Sequence, residues 1–326
     1  MPIVEAVSII YCSRGPTPAR GCSSFLDRHL AAHHARRRLV RRNGRRRYYQ
    51  IVRKHLTIDG RRLSYLEHHP PGVRRTLLLL HAFPLNAEMW EPQFAAAPPG
   101  WRFIAPDFRG FGESDADGGD LASAGLTLED YARDVAQISS ELGVHDPVVA
   151  GLSLGGYTAF ALTRVIRGGP SGISGLVLAD TRPQADTEEG RAERLRMIGL
   201  VDREGPSALA KEMLPRLLAE ETCQRRPEIA DRVRQLICAA APEAIKAAVY
   251  RMMARPDSTA QLTQVKCPTL IVVGNHDTLT PPALSQEMRA RIAGATLTVI
   301  PSAGHLSNLE QPSAFNDALH GFLNRV

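Results

Sequence analysis

Ser153 sits at the centre of Gly151-Leu152-Ser153-Leu154-Gly155, between the apolar run Val148–Ala150 and a helical pattern that starts near Gly156-Tyr157. A serine on a sharp strand-to-helix turn is held in a strained backbone conformation that lifts its hydroxyl above the sheet. Small residues at 151 and 155 leave room where the two backbones crowd. A hydroxyl becomes a useful nucleophile only when a base takes its proton, and the base needs a carboxylate to orient it. Two later loops supply both. Asp277 follows Leu270–Val273 in Gly274-Asn275-His276-Asp277, and His305 follows Leu297–Ile300 in Ala303-Gly304-His305. Taken singly, these could be a glycine-rich turn with an incidental serine, a helix-capping aspartate and a loop histidine. Their placement after separate strands favours a joint role. Asp180, just past Leu176–Ala179, is the rival carboxylate and reads better as a hinge residue. His276 reads as loop structure, and His68, His69 and His81 lack metal-ligand spacing.

A serine attacking a carbonyl also needs hydrogen-bond donors fixed in advance for the oxyanion. One is the backbone N–H of Leu154, at the positive end of the helix after Ser153. The other comes from His81-Ala82-Phe83-Pro84, the loop after Leu77–Leu80. Phe83 N–H is the natural donor there, because Pro84 has none.

The elements that must position these groups are legible as an alternation. Short apolar runs at Leu77–Leu80, Phe103–Ala105, Val148–Ala150, Leu176–Ala179, Leu270–Val273 and Leu297–Ile300 predict strands buried on both faces, as in a parallel sheet. Between them, Leu128, Tyr131, Val135, Ile138 and Leu142 repeat at helical spacing, with Thr127 as N-cap and Gly143 just past the end. Helices are also predicted from Pro281-Pro282 and from Pro312, and Asp59-Gly60 marks a hairpin between alternating runs. The class is α/β, with a mostly parallel twisted sheet flanked by helices. Pro183 to Leu262 breaks the alternation. It holds no strand-like run, is rich in Ala, Leu, Arg, Glu and Met, and is punctuated by prolines 206, 215, 227 and 242. This predicts a helical cap over 183–262, inserted in a core of 48–182 and 263–326.

The formal charge of +6 is unevenly placed: residues 1–54 carry +11 and the remainder −5. Residues 1–47 therefore read as an Arg-rich arm without structure, because Arg36-Arg37-Arg38, Arg41-Arg42 and Arg45-Arg46-Arg47 repel one another. A transit peptide or a nucleic-acid-binding arm are the other readings of that segment; the folded body, mildly acidic, is not expected to bind nucleic acid. With 326 residues, 44% hydrophobic and 23% charged, the composition excludes wholesale disorder and a collagen-like chain. Five scattered cysteines without CxxC spacing argue against a disulfide framework or zinc site and suit a reducing, cytoplasmic setting. No apolar run reaches membrane-spanning length.

Together, His81-Ala82-Phe83-Pro84 with Trp90, Asp107-Phe108-Arg109-Gly110-Phe111-Gly112-Glu113-Ser114, Gly151–Gly156, Gly274–Asp277 and Gly304-His305 resemble the α/β-hydrolase superfamily over residues 55–326. Within it, the chain is most similar to bacterial 3-oxoadipate enol-lactonase-like proteins and metal-free haloperoxidase-type esterases. Relatives usually carry Gly where this chain has Ala82. The order Ser153, Asp277, His305 is the order that fold uses. The resemblance implies a catalytic triad of these residues, an oxyanion hole from Phe83 and Leu154, and a structural loop at Asp107–Ser114. Serine in place of the aspartate nucleophile of epoxide-opening and dehalogenating relatives implies acyl transfer. The expectation is a serine hydrolase of small-molecule carboxylic esters or lactones that uses no metal or organic cofactor. A 3-oxoadipate enol-lactonase-type activity, or a non-catalytic ligand-binding protein on the same fold, are the alternatives. Trp90 and Phe108 are expected in the pocket wall. Met197, Met213, Met252 and Met253 are candidates from the cap, and Arg191, Arg194 and Arg196 are its available cations. The oligomeric state is not legible in the sequence.

Overall fold

The computed structural model describes residues 35–42, 45–166 and 172–326. Nine strands among them form one sheet: β1 (Ala35–Arg42), β2 (Arg45–Ile58), β3 (Arg61–His68), β4 (Arg75–Leu80), β5 (Trp101–Pro106), β6 (Val148–Leu152), β7 (Gly175–Ala179), β8 (Thr269–Gly274) and β9 (Thr296–Ile300). The spatial order is β1-β2-β3-β5-β4-β6-β7-β8-β9. The β1/β2, β2/β3 and β3/β5 pairs are antiparallel, and every pair from β5 to β9 is parallel. Asp59 and Gly60 both have positive φ, as the predicted two-residue hairpin turn requires.

Helices fill the connections: α1 (Glu91–Ala95), α2 (Leu128–Glu141), α3 (Leu154–Val165), α4 (Glu188–Leu217), α5 (Glu220–Arg225), α6 (Pro227–Cys238), α7 (Pro242–Ala254), α8 (Pro282–Arg291), α9 (Ser307–Glu310) and α10 (Pro312–Leu323). The start of α2 is closed by a capping box in which Thr127 and Asp130 satisfy each other's backbone N–H groups. Strands β4 and β6 to β8 are buried along their length except at Arg75 and Thr76, because helices cover the sheet centre. Helix α3 packs on β4 and β6, and α8 and α10 on β8 and β9.

Two expectations need correction. Leu297–Ile300 was predicted to be buried on both faces, but β9 is the sheet's edge and only Ile300 is fully buried, with Val299 43% exposed. An edge strand lacks a second neighbour, so apolar composition alone does not bury it. The arm expected to lack structure through residue 47 overlaps β1 and the start of β2, which pair with Arg42 opposite Arg45 and Leu39 opposite Tyr48. An antiparallel partner satisfies backbone groups that β2 would otherwise leave at an edge, a gain that charge density does not forecast. The signal in the sequence was Asn43-Gly44, a dipeptide favoured between hairpin strands. The rest of the arm reading, on residues 1–34, lies outside the described residues.

Between β7 and β8 the chain is all helical, from α4 to α7 and a closing 3-10 turn at Thr259–Gln264. Proline sets the breaks. Helix α4 is interrupted at Gly205, just before Pro206, while Pro227 and Pro242 occupy the first turns of α6 and α7. Ser258 N–H donates to Pro183 C=O at 2.8 Å, closing the neck of the insertion.

Candidate active site

The sheet topology carries Phe83, Ser153, Asp277 and His305 to one edge. Each follows the C-terminal end of a strand: β4, β6, β8 and β9 respectively. Parallel strands deliver successive loops to the same side, so residues 152 positions apart come into contact.

Ser153 has φ 55° and ψ −113°, a region that L-residues rarely occupy. The conformation is locked from several directions. Ser153 N–H donates to Ala179 C=O at 3.0 Å, and Thr181 Oγ1 donates to Ser153 C=O at 2.9 Å. The turn needs glycine on both sides: a Cβ on Gly151 would stand 2.2 Å from Gly155 O, and one on Gly155 would stand 2.1 Å from Leu80 O.

His305 Nε2 lies 2.8 Å from Ser153 Oγ, and His305 Nδ1 lies 2.9 Å from Asp277 Oδ2. Both His305 and Asp277 are buried. The Asp277 carboxylate is saturated with donors. Its Oδ1 accepts from Leu279 N–H at 2.8 Å and Thr280 N–H at 2.9 Å, and its Oδ2 accepts from Thr280 Oγ1 at 2.6 Å as well as from the imidazole. Burial disfavours its charge, but the facing His305 and the Thr280 donors outweigh that and bring its pKa down to about 2. His305 shows the mirror image. Burial opposes protonation, and the Asp277 carboxylate overcomes it and raises the pKa above the usual histidine value.

Asp180 is fully buried at the end of β7 but takes other partners. Gly274 N–H donates to its Oδ1 at 2.8 Å and Ser307 Oγ to its Oδ2. It clamps the β8 end and the histidine loop without bonding the imidazole. Burial, then the Asp277 charge, pushes its pKa up. Glu310 is a further buried carboxylate, and burial raises its pKa too. It accepts from Gly304 N–H at 2.8 Å, Ala219 N–H at 2.8 Å and Thr222 Oγ1 at 2.6 Å, which stitches the histidine loop to the cap. Sequence reasoning did not single out Glu310; a glutamate five positions past a loop histidine carries no signal by itself.

Leu154 opens α3, and Phe83 lines a cavity of 210 Å³ together with Ser153 and His305. The loop bearing Phe83 is held by His81. Phe108 N–H donates to His81 Nε2 at 3.0 Å, so Nδ1 carries the proton and donates to Ala82 C=O at 3.0 Å. Complete burial keeps this histidine neutral, with a pKa of about 4. Asp107 ties this loop together, accepting from Ala87 N–H at 2.8 Å and from Ser64 and Arg53.

The predicted pocket aromatics do not reach the cavity wall. Trp90 is fully buried 6.1 Å from the Phe315 ring, and Phe108 stacks 4.6 Å from Tyr131. Both fill the core under the loops, where large aromatics bury the most area. The wall is made instead by Tyr157 of α3, by Thr278–Thr280, and by cap residues. Of the four candidate methionines, Met197, Met213 and Met252 line it and Met253 does not. Of the three candidate arginines only Arg194 does, joined by Arg182 and Arg216, which sequence reasoning missed. Helical phase within a cap of irregular helices decides this, and composition does not show phase.

Residues 77–318 match the alpha/beta hydrolase family. Among solved structures, the chain is similar to a thermophilic esterase from Thermogutta terrifontis, solved with malate bound, at 38% identity and a TM-score of 0.75, covering 84% of this chain and 98% of that one. It is similar to an enol-lactonase from Burkholderia xenovorans LB400 at 27% identity and a TM-score of 0.74, covering 83% and 100%. Among curated proteins, 3-oxoadipate enol-lactonase 1 of Acinetobacter baylyi is 29% identical over 73% of this chain and 84% of that protein.

Proposed function

The chain belongs to the alpha/beta hydrolase family, and from that premise we propose that it is a serine hydrolase cleaving carboxylic esters or lactones of small molecules through an acyl-enzyme. The observation that carries this reading is the unbroken relay of hydrogen bonds from Asp277 through His305 to Ser153, at 2.9 and 2.8 Å, opening onto a cavity. His305 Nε2 takes the Ser153 proton as Oγ attacks the carbonyl carbon. The carbonyl electron pair moves to oxygen, where the N–H groups of Phe83 and Leu154 receive it. The C–O bond to the leaving group then breaks as His305 returns the proton to the alkoxide. Water, deprotonated by the same nitrogen, attacks the acyl-enzyme, and the proton returns to Ser153 as the acid leaves. The balance closes with the chain's own groups and one water, so the route calls on no metal or organic cofactor. Asp277 stays ionised throughout and stabilises the imidazolium.

In a lactone, ring opening leaves the alcohol tethered to the acyl group, and the same steps apply. The similarity to enol-lactonases makes lactones the second substrate class to test. The cap roofs the cavity through Met197, Met213, Leu217 and Met252, and in this reading sets substrate choice while the triad sets reaction type. The free thiols Cys223, Cys238 and Cys267 fit a cytoplasmic location. No helix among the described residues is long and apolar enough to cross a membrane.

The test is a panel of esters and lactones against purified protein beside Ser153→Ala, together with a fluorophosphonate probe. Wild-type protein is expected to be labelled and to turn over esters, and the variant to lose both. Labelling that persists in Ser153→Ala refutes the assignment.

A further inference from the structure

We propose that Arg182 and Arg194 form an anion-binding subsite in the wall of the active-site cavity, so that the substrate is an ester or lactone carrying a carboxylate. The proposal rests on the reading of Ser153 as nucleophile and names the substrate class for it.

The cavity's charges do not cancel. Asp186, nearly fully buried, is the single carboxylate shared by three guanidinium groups: Arg182 Nη2 at 3.0 Å, Arg194 Nε at 3.2 Å and Arg255 Nη2 at 2.8 Å. In the cavity wall itself three guanidinium groups, Arg182, Arg194 and Arg216, face two carboxylates, Asp186 and Glu193, an excess of one positive charge. Arg255 is consumed structurally. Its nitrogens bond the carbonyls of Met252 and Gln184, and its plane lies 4.3 Å over the Tyr157 ring. Arg182 and Arg194 are not consumed. Arg182 Nε is buried without a hydrogen-bond partner, and the terminal nitrogens of Arg194 make no hydrogen bond among the described residues. A buried guanidinium N–H left unpaired costs free energy unless a ligand completes it. The other acid in the wall, Glu193, is already engaged by Arg196 at 2.8 Å and faces Arg216 at 3.5 Å. Its hydrogen bonds go to Arg196, and Arg194 reaches it only through space as a weaker charge.

The subsite is close to the chemistry. Arg182 directly follows Thr181, whose hydroxyl bonds the Ser153 carbonyl at 2.9 Å, and both arginines line the cavity that holds Ser153 and His305. A cavity of 210 Å³ suits a small molecule whose carboxylate lies a few bonds from the scissile carbonyl. Short monoesters of dicarboxylic acids, acylated hydroxy acids and carboxylated lactones have this shape. Guanidinium is suited to the task because its fixed fork of donors matches a carboxylate.

The experiment uses the full chain and matched ester pairs followed by pH-stat: ethyl hydrogen succinate against ethyl pentanoate, and O-acetylglycolate against propyl acetate. These place the charge on the acyl or on the alcohol side. In at least one pair the anionic ester is expected to be preferred in kcat/KM by about 10- to 100-fold, the range of one or two charge-assisted hydrogen bonds. That ratio is expected to fall toward unity in Arg194→Gln and Arg182→Gln, and to shrink in the wild type as salt screens the charges. Thermal melts establish that each variant is folded. If one is not, the wild-type ratio and its salt dependence still decide. Neutral esters hydrolysed as fast as both anionic partners, or a preference untouched by folded Arg194→Gln and Arg182→Gln, overturn the subsite. A wild-type enzyme that turns over neither kind of ester, or turnover that survives Ser153→Ala, overturns the serine-hydrolase reading instead.

Discussion

Replacing Asp277 with Asn tests the proposed relay, because the structure dictates how the amide must sit. Asp277 Oδ1 accepts two backbone N–H groups, from Leu279 and Thr280, at 2.8 and 2.9 Å. Only the amide oxygen can take that place, since the amide nitrogen would oppose two donors in a buried site. The nitrogen is therefore forced to the Oδ2 position, 2.9 Å from His305 Nδ1. As a donor, it makes Nδ1 an acceptor and moves the imidazole proton to Nε2. Nε2 then points its N–H at Ser153 Oγ and cannot take the serine proton. The expected loss in kcat is about 10⁴-fold, equivalent to about 5 kcal/mol of barrier. The assay is ester hydrolysis near neutral pH, with thermal melts to establish that the variant is folded. Asp180→Asn, tested in parallel, is expected to be the milder change, because Asp180 bonds Gly274 N–H and Ser307 and makes no hydrogen bond to the imidazole among the described residues. A folded Asp277→Asn variant keeping more than roughly one hundredth of wild-type kcat, or a greater loss in Asp180→Asn, refutes the reasoning.

Three further outcomes follow from the same geometry. His305 must be neutral to act as base, and the Asp277 charge raises its pKa, so kcat/KM is expected to fall on the acid side with a midpoint above about 6.5. A midpoint below that value in the pH–rate profile contradicts the direction of the shift. Gly151→Ala would drive a Cβ to 2.2 Å from Gly155 O and 2.6 Å from Gly156 N, backbone atoms that cannot swing aside. A loss of about 3 kcal/mol in denaturant unfolding is expected, and a change under roughly 1 kcal/mol would mean that the turn relaxes. Met252→Ala is expected to change the ratio of kcat/KM between short- and longer-chain esters about tenfold, and Met253→Ala, outside the cavity wall, to leave it unchanged. Equal effects of the two would show that the cap does not wall the pocket as the structure places it.

The sequence alone determined the elements and the ends of the site. Apolar runs located β4 to β9 to within two residues, while β1 and the first part of β2 were not read as strands. Thr127, Gly143 and the prolines marked helix boundaries, because capping and proline geometry are local effects. Ser153, Asp277 and His305 were legible as candidates for a related reason: a strand-to-helix turn with glycine on both sides has a fixed spacing, and polar residues just past buried strands are conspicuous. Tertiary structure decided everything that depends on neighbours. Asp277 and Asp180 both follow strands, and only the position of the His305 ring shows which carboxylate it touches. The two-stranded β1/β2 pairing outcompeted the charge repulsion read from the arginine blocks. Trp90 and Phe108 followed the general pull of large aromatics into the core, away from the pocket. Arg182 and Arg194, which line the same cavity as Ser153, lie 12 residues apart on a loop and a kinked helix. Their convergence on Asp186 arises from the fold of the cap, and local sequence patterns hold no record of contacts made across the chain.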